Sequence, residues 1–137
     1  MTYEEAVDEI LDMFKEAWEP TGYDVFYEQT RDQRNTTEDP WCSVWVRHSG
    51  GSQATLGGKG NRKFRRIGFV QVAIHTPSVF GLSSSYQLAK VVTDAYEGKS
   101  SANGKVWFRQ VRINEAGRDG MFNILNVYAD FEYDETK

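Results

Sequence analysis

Residues 64–76 alternate more regularly than any other stretch of this chain. Val70, Val72 and Ile74 fall on one face, and Phe69, Gln71, Ala73 and His75 on the other. A period of two belongs to a strand with one buried face. Pro77 ends the pattern, because proline has no amide to give to a ladder. A single long strand is not stable by itself in water. The rest of the chain must therefore supply neighbouring strands and something apolar to cover the Val-Val-Ile face.

Four further segments supply strands. Residues 23–29 form a short candidate. Residues 41–48 alternate, with Cys42, Val44 and Val46 opposite Trp41, Ser43, Trp45 and Arg47. Residues 106–114 and 121–133 are two long strands joined across Glu115–Gly120, where Asp119-Gly120 marks a hairpin. The polar, turn-like segment 30–40 separates the first two and contains a glycosylation sequon at Asn35-Thr36-Thr37.

Two helices supply the cover. Tyr3, Val7, Ile10, Leu11, Phe14 and Trp18 recur at helical steps, and Thr2 with Glu5 makes a capping box. Pro20 and Gly22 stop this helix. Ser84 with Gln87 reads as a second capping box, opening a helix through Leu88, Ala89, Val92, Ala95 and Tyr96 that Gly98 ends. The order is α-β-β-β-α-β-β. Twelve valines against five leucines fit a sheet-dominated core. The expected fold is α+β: an antiparallel-rich mixed sheet of about five strands with two helices packed on one face.

The 137 residues fit one domain, 1–137. No run reaches the roughly 18–20 apolar residues that a membrane span needs. The acidic start, Tyr3-Glu4-Glu5, is unlike a secretory signal. The lone Cys42 allows no internal disulfide and fits a reducing compartment.

Catalytic chemistry is sparse. His48 and His75 lie in separate strands without metal-ligand spacing around them. Cys42 falls on an apolar face, where a free cysteine usually packs as a small hydrophobe rather than a nucleophile. A phosphate-binding loop ending at Gly58-Lys59 would need glycine where Gln53 stands and Ser or Thr where Gly60 stands. A dinucleotide fingerprint fails because no helix follows the glycines. Asp130, Glu132 and Asp134 share one face of the last strand and read as a solvated edge that discourages strand pairing, rather than a metal site. No catalytic, cofactor or metal residues are assigned, and the chain reads as a non-enzyme.

Charge is uneven. The net charge is −4, yet Lys59, Arg62, Lys63, Arg65 and Arg66 place five of the 16 basic residues within eight positions. They follow a glycine-rich stretch, so residues 49–63 read as a flexible basic loop that orders on a partner. The first helix is the acidic counterpart, with Glu4, Glu5, Asp8, Glu9, Asp12, Glu16 and Glu19. Such segregation suits contact between copies, or a small nucleic-acid-binding module using the loop with Phe64 as a stacking ring. Trp41, Trp45 and Trp107 are candidate interface anchors.

The order of short motifs carries a resemblance. Gly68-Phe69-Val70-Gln71-Val72-Ala73-Ile74 leads to Thr76-Pro77 and Gly81, then to a helix ending Ala95-Tyr96-Glu97-Gly98. Gly104-Lys105-Val106-Trp107-Phe108 and the 115–122 turn follow, and Asn126 to Asp134 closes the series. Residues 3–18 and 41–134 together resemble the lambda-type tail-terminator proteins of long-tailed bacteriophages. The resemblance implies a virion protein of the tail, assembled in the host cytoplasm as a homohexameric ring that ends tail-tube growth and joins tail to head. Its implied partners are its own copies, the tail-tube protein and head–tail connector proteins, with DNA only passing through the lumen and no membrane contact. A head-completion or neck protein is the nearest alternative of that ring-forming class.

Overall fold

The alternating segment 64–76 becomes the middle strand of a five-stranded sheet. The computed structural model of the chain describes residues 1–27, 39–101, 103–119 and 121–137, without the side chains of residues 118 and 119. The elements run α1 (Tyr3–Trp18), β1 (Asp24–Tyr27), β2 (Trp41–Gln53), β3 (Lys63–Pro77), α2 (Gly81–Tyr96), β4 (Val106–Asp119) and β5 (Phe122–Thr136). The sheet order is β1-β2-β3-β5-β4. β1 runs parallel to β2, and the other three pairings are antiparallel. This is the expected α+β class. The sequon and most of segment 30–40 lie outside the described residues.

One face of the sheet holds the core. Cys42 and Val44 from β2, Val70, Val72 and Ile74 from β3, and Leu125, Val127, Ala129, Phe131 and Tyr133 from β5 are buried there. Val106 and Phe108 add the β4 margin. α1 closes over this face with Ala6, Ile10, Phe14 and Trp18, a strict four-residue step. The stripe read from sequence was broader: Tyr3 is 45% exposed, while Val7 and Leu11 flank the buried line. The Tyr96 hydroxyl of α2 donates to the carbonyl of Ile10 at 2.9 Å, tying the two helices together inside the core.

Local expectations hold at one helix start and fail at the other. Thr2 caps α1, its hydroxyl accepting from the amide of Glu5 at 3.3 Å. α2 begins at Gly81, three residues before the anticipated capping box, and has no side-chain cap. The Ser84 hydroxyl instead donates to the carbonyl of Phe80. A 3-10 turn, Ser78–Phe80, precedes α2, and Gly81 at φ 77° makes the junction between them.

Two loops are shorter than the sequence implied. β2 continues through Gly50 and Gly51, paired with Ile67 and Arg66 after a bulge at His48. At Gly51 a side chain would meet the carbonyl oxygen of Arg65 at 2.8 Å, so glycine lets the strands close. The supposed loop 49–63 is thus strand at both ends, and only residues 54–62 connect. The β4–β5 hairpin likewise stays paired to Asp119 and Phe122, with a bulge between Glu115 and Gly117, the latter at φ 90°.

Candidate assembly surfaces

The sheet face turned away from the helices is a charge ladder rather than a core. β5 is an inner strand, so Asp130, Glu132 and Asp134 do not form the solvated edge read from sequence. Each meets an arginine on a neighbouring strand. Arg112 contacts Asp130 at 2.9 Å, Arg109 contacts Glu132 at 2.8 Å and Arg65 contacts Asp134 at 3.1 Å. Arg112 also stands over the Tyr128 ring, 5.0 Å from its centroid. Two strands contribute the arginines and the strand between them contributes the carboxylates. Opposite charges on adjacent strands, directly opposite for Arg65 with Asp134 and diagonal for Arg112 with Asp130, support the register, each by a few tenths of a kcal/mol up to about 1 kcal/mol.

This pairing divides the basic cluster. The hydrogen bond to Asp134 raises the Arg65 pKa, and that to Glu135 raises the Arg66 pKa. Arg66 sits on the helix side, 2.9 Å from Glu135 and over the rings of Tyr3 and Phe64. Both arginines serve the fold, not a flexible arm. Lys59, Arg62 and Lys63 remain at the tip. Arg62 donates to the carbonyl of Gly57 and exchanges backbone bonds with Lys137, whose ammonium joins the same end. Lys59 and Lys63 have no ion pair among the described residues.

The three tryptophans part company as well. Trp41 is 7% exposed and stacks on His75 at 3.8 Å, with Phe26 and Phe122 at its edges. It is therefore not available as an anchor. Its neighbours come from three other strands, and sequence alone could not bring them to it. Trp45 is half-buried on the outer face, and Trp107 is 40% exposed there.

At the other end of the strands lies a surface that the sequence reading passed over. Val79, Phe80, Leu82 and Met121 are exposed, with Val79 at 78% and Met121 at 69%. The amide of Ser78 donates to the carbonyl of Met121 at 2.8 Å, which sets the segment that carries Val79, Phe80 and Leu82 beside the start of β5. The available signal was the apolar run Val79-Phe80 and Leu82, between a strand and a helix and outside either period. Exposed apolar groups that lie near one another mark an interaction surface more often than isolated ones do.

His48 and Tyr133 form the remaining polar feature. His48 Nε2 lies 2.6 Å from the Tyr133 hydroxyl, under the edge of the Tyr3 ring at 4.4 Å between centroids. Burial, then the nearby Arg66, lowers the His48 pKa. Burial also raises the thiol pKa of Cys42, which sits deep in the core. Among the described residues, no group of three or more His, Cys, Asp or Glu side chains is placed to hold a metal. None of the helices described is long and apolar enough to cross a membrane.

The fold is similar to that of a solved protein structure, with a TM-score of 0.67 at 15% identity over 95% of this chain and 96% of that one. At that identity the likeness shows the fold alone. No protein-family model matches the chain, and no curated protein does.

Proposed function

We propose that this chain is a structural subunit of a phage tail terminator, a ring that ends tail-tube growth and joins the tail to the head. One observation carries the reading: the subunit has two unlike ends. β3 runs its whole length between them, about 46 Å at roughly 3.3 Å per residue. One end presents Lys59, Arg62, Lys63 and Lys137, and the other presents Val79, Phe80, Leu82 and Met121. A joining ring needs two faces of different chemistry, one for the tube and one for the head side. The order of motifs that resembles lambda-type terminators supports the same reading.

The partners proposed are further copies of the chain, the tail-tube protein and a head–tail connector protein, with DNA passing through the lumen. Charged groups at the tip steer and orient a partner more than they add affinity. The apolar end supplies the area that excludes water.

The test is to replace Lys59, Arg62 and Lys63 together with Ala in a phage that depends on this gene, and to measure tail length by electron microscopy. The melting temperature should stay near that of the wild type, because none of the three belongs to the core. Tails of uncontrolled length should accumulate. Tails of normal length joined to heads would sink the proposal for this end. A strong, salt-sensitive DNA affinity in the wild type, lost in the triple variant, would favour a nucleic-acid-binding module instead.

A further inference from the structure

At the β4 margin the sheet offers main chain as well as side chains. β4 is the outermost strand on that side. Ser100 bridges Trp107, and the amide of Phe108 reaches the carbonyl of Lys99, closing the start of the strand. The pairing with β5 is interrupted twice, between Phe108 and Gln110 and between Glu115 and Gly117. Residues 110–115 are the regular stretch between those bulges, and no described backbone group pairs on their outer side. Bulges blunt an edge against a whole second sheet. What they leave here is a window for one short extended segment.

A helix runs along that window and makes it a groove. The Tyr96 ring lies 4.6 Å from that of Phe108, and the Tyr86 hydroxyl donates to the Glu115 carboxylate, so α2 passes beside β4 in the opposite direction. Val111, Ile113 and Glu115 lie on the helix side, because their partners across the ladder, Ala129, Val127 and Leu125, are core residues. Ile113 and Tyr86 are nonetheless 42% and 40% exposed. At the Tyr86 end the groove deepens into a cavity of 270 Å³, walled by Leu82, Tyr86, Glu115 and Leu125. Buried Ser85 also lines it, and its hydroxyl has no hydrogen-bond partner among the described residues. Lys90 and Glu115 are both exposed on this flank, so charge selects little here and apolar fit decides.

We propose that this groove binds an extended segment of the protein that docks on the apolar end. The inference rests on the joining function proposed above and names how that partner is held. Leu82 belongs both to the apolar end and to the cavity wall, so the two surfaces are continuous. The segment adds a strand to β4 along residues 110–115. Its alternate side chains face α2, where one covers Ile113 and the next enters the cavity. Main-chain hydrogen bonds give such a joint its affinity, and the cavity gives it specificity.

The test starts from a display library of random short peptides selected on the immobilised wild-type chain, a probe that assumes nothing about tails. Selected peptides should alternate apolar and polar residues, and the tightest of them should slow hydrogen exchange at residues 110–115. Two variants then probe the groove, with thermal melts to establish that each is folded. Ile113→Lys places a charge on the edge, and Ser85→Leu fills the cavity without removing a hydrogen bond. Each should bind the peptide at least about tenfold more weakly than the wild type, a change of about 1.4 kcal/mol. Should Ser85→Leu fail to fold, Ile113→Lys decides alone. A library that yields no peptide, protection confined to other residues, or a folded variant that binds like the wild type would each overturn the proposal. Protection of residues 110–115 gained by the wild type on concentration alone would assign the edge to a second copy and overturn it as well. None of these results touches the terminator reading, which fails instead if tails of a phage lacking this protein end and join normally. In that event the groove would keep its peptide and lose its assigned partner.

Discussion

The two faces of β5 use one backbone for opposite purposes. Leu125, Val127, Ala129, Phe131 and Tyr133 turn toward the helices and are at most 4% exposed. Asn126, Tyr128, Asp130, Glu132 and Asp134 turn away, and the three acids each meet an arginine on a neighbouring strand. The buried side is held by apolar area and close packing, which a substitution disturbs by several kcal/mol. The ladder side is held by charge in contact with water, where single pairs contribute little. The first face therefore fixes the fold, and the second fixes which strand lies beside which at low energetic stakes. A surface of that second kind can change to suit a partner without endangering the core.

The buried side should tolerate little. Phe131 touches His48, Phe108 and Tyr133 through ring edges and faces. Phe131→Ala should cost about 3–5 kcal/mol in a urea melt. A loss under about 1 kcal/mol would mean that the core face is wrongly assigned.

Gly68 sharpens the same point from the backbone. A side chain there would come within 2.2 Å of the carbonyl oxygen of Arg47 and 2.7 Å of the Phe131 ring. Gly68→Ala should therefore cost about 1–3 kcal/mol through overpacking and loosen the β2–β3 pairing. If its melting temperature equals that of the wild type, the close approach is not a constraint.

On the ladder side the expected effect is smaller. Arg112→Ala removes the contact to Asp130 and the cation over Tyr128, and should cost less than about 1 kcal/mol, shrinking further in high salt. A loss as large as that of Phe131→Ala would erase the distinction between the faces.

The smallest effect is a pH dependence at the rim between the two. His48 faces Tyr3, Tyr133 and Arg66, the last paired with Glu135. Its folded pKa lies below the ordinary histidine value, so in that interval the unfolded chain binds the proton that the folded one refuses. Its contribution is complete above the usual histidine range and is lost as pH falls through the folded pKa. The melting temperature should drop slightly between about pH 7 and about pH 5. His48→Gln should flatten that slope, and an unchanged slope would assign the pH dependence to other groups.

Local order was legible in this sequence wherever a short-range rule governs it. Alternation identified β3 and its buried Val70, Val72 and Ile74, and Thr2 with Glu5 marked the start of α1, because both signals act within a few residues. Alternation also showed that Asp130, Glu132 and Asp134 share a face, but not that arginines from β3 and β4 would stand on either side. The chain gave no sign that Trp41 would be sealed by His75, Phe26 and Phe122, or that Gly50 and Gly51 belonged to a strand rather than a loop. Those outcomes depend on which strands become neighbours and in what register. Periodicity assigns a residue to a face, while the partner across the ladder comes from contacts between segments far apart in the chain, 69 residues in the case of Arg65 with Asp134. Short-range patterning therefore marks most of the elements and their apolar faces, whereas strand pairing settles where the elements end, which charges the fold consumes and which stay at the tip.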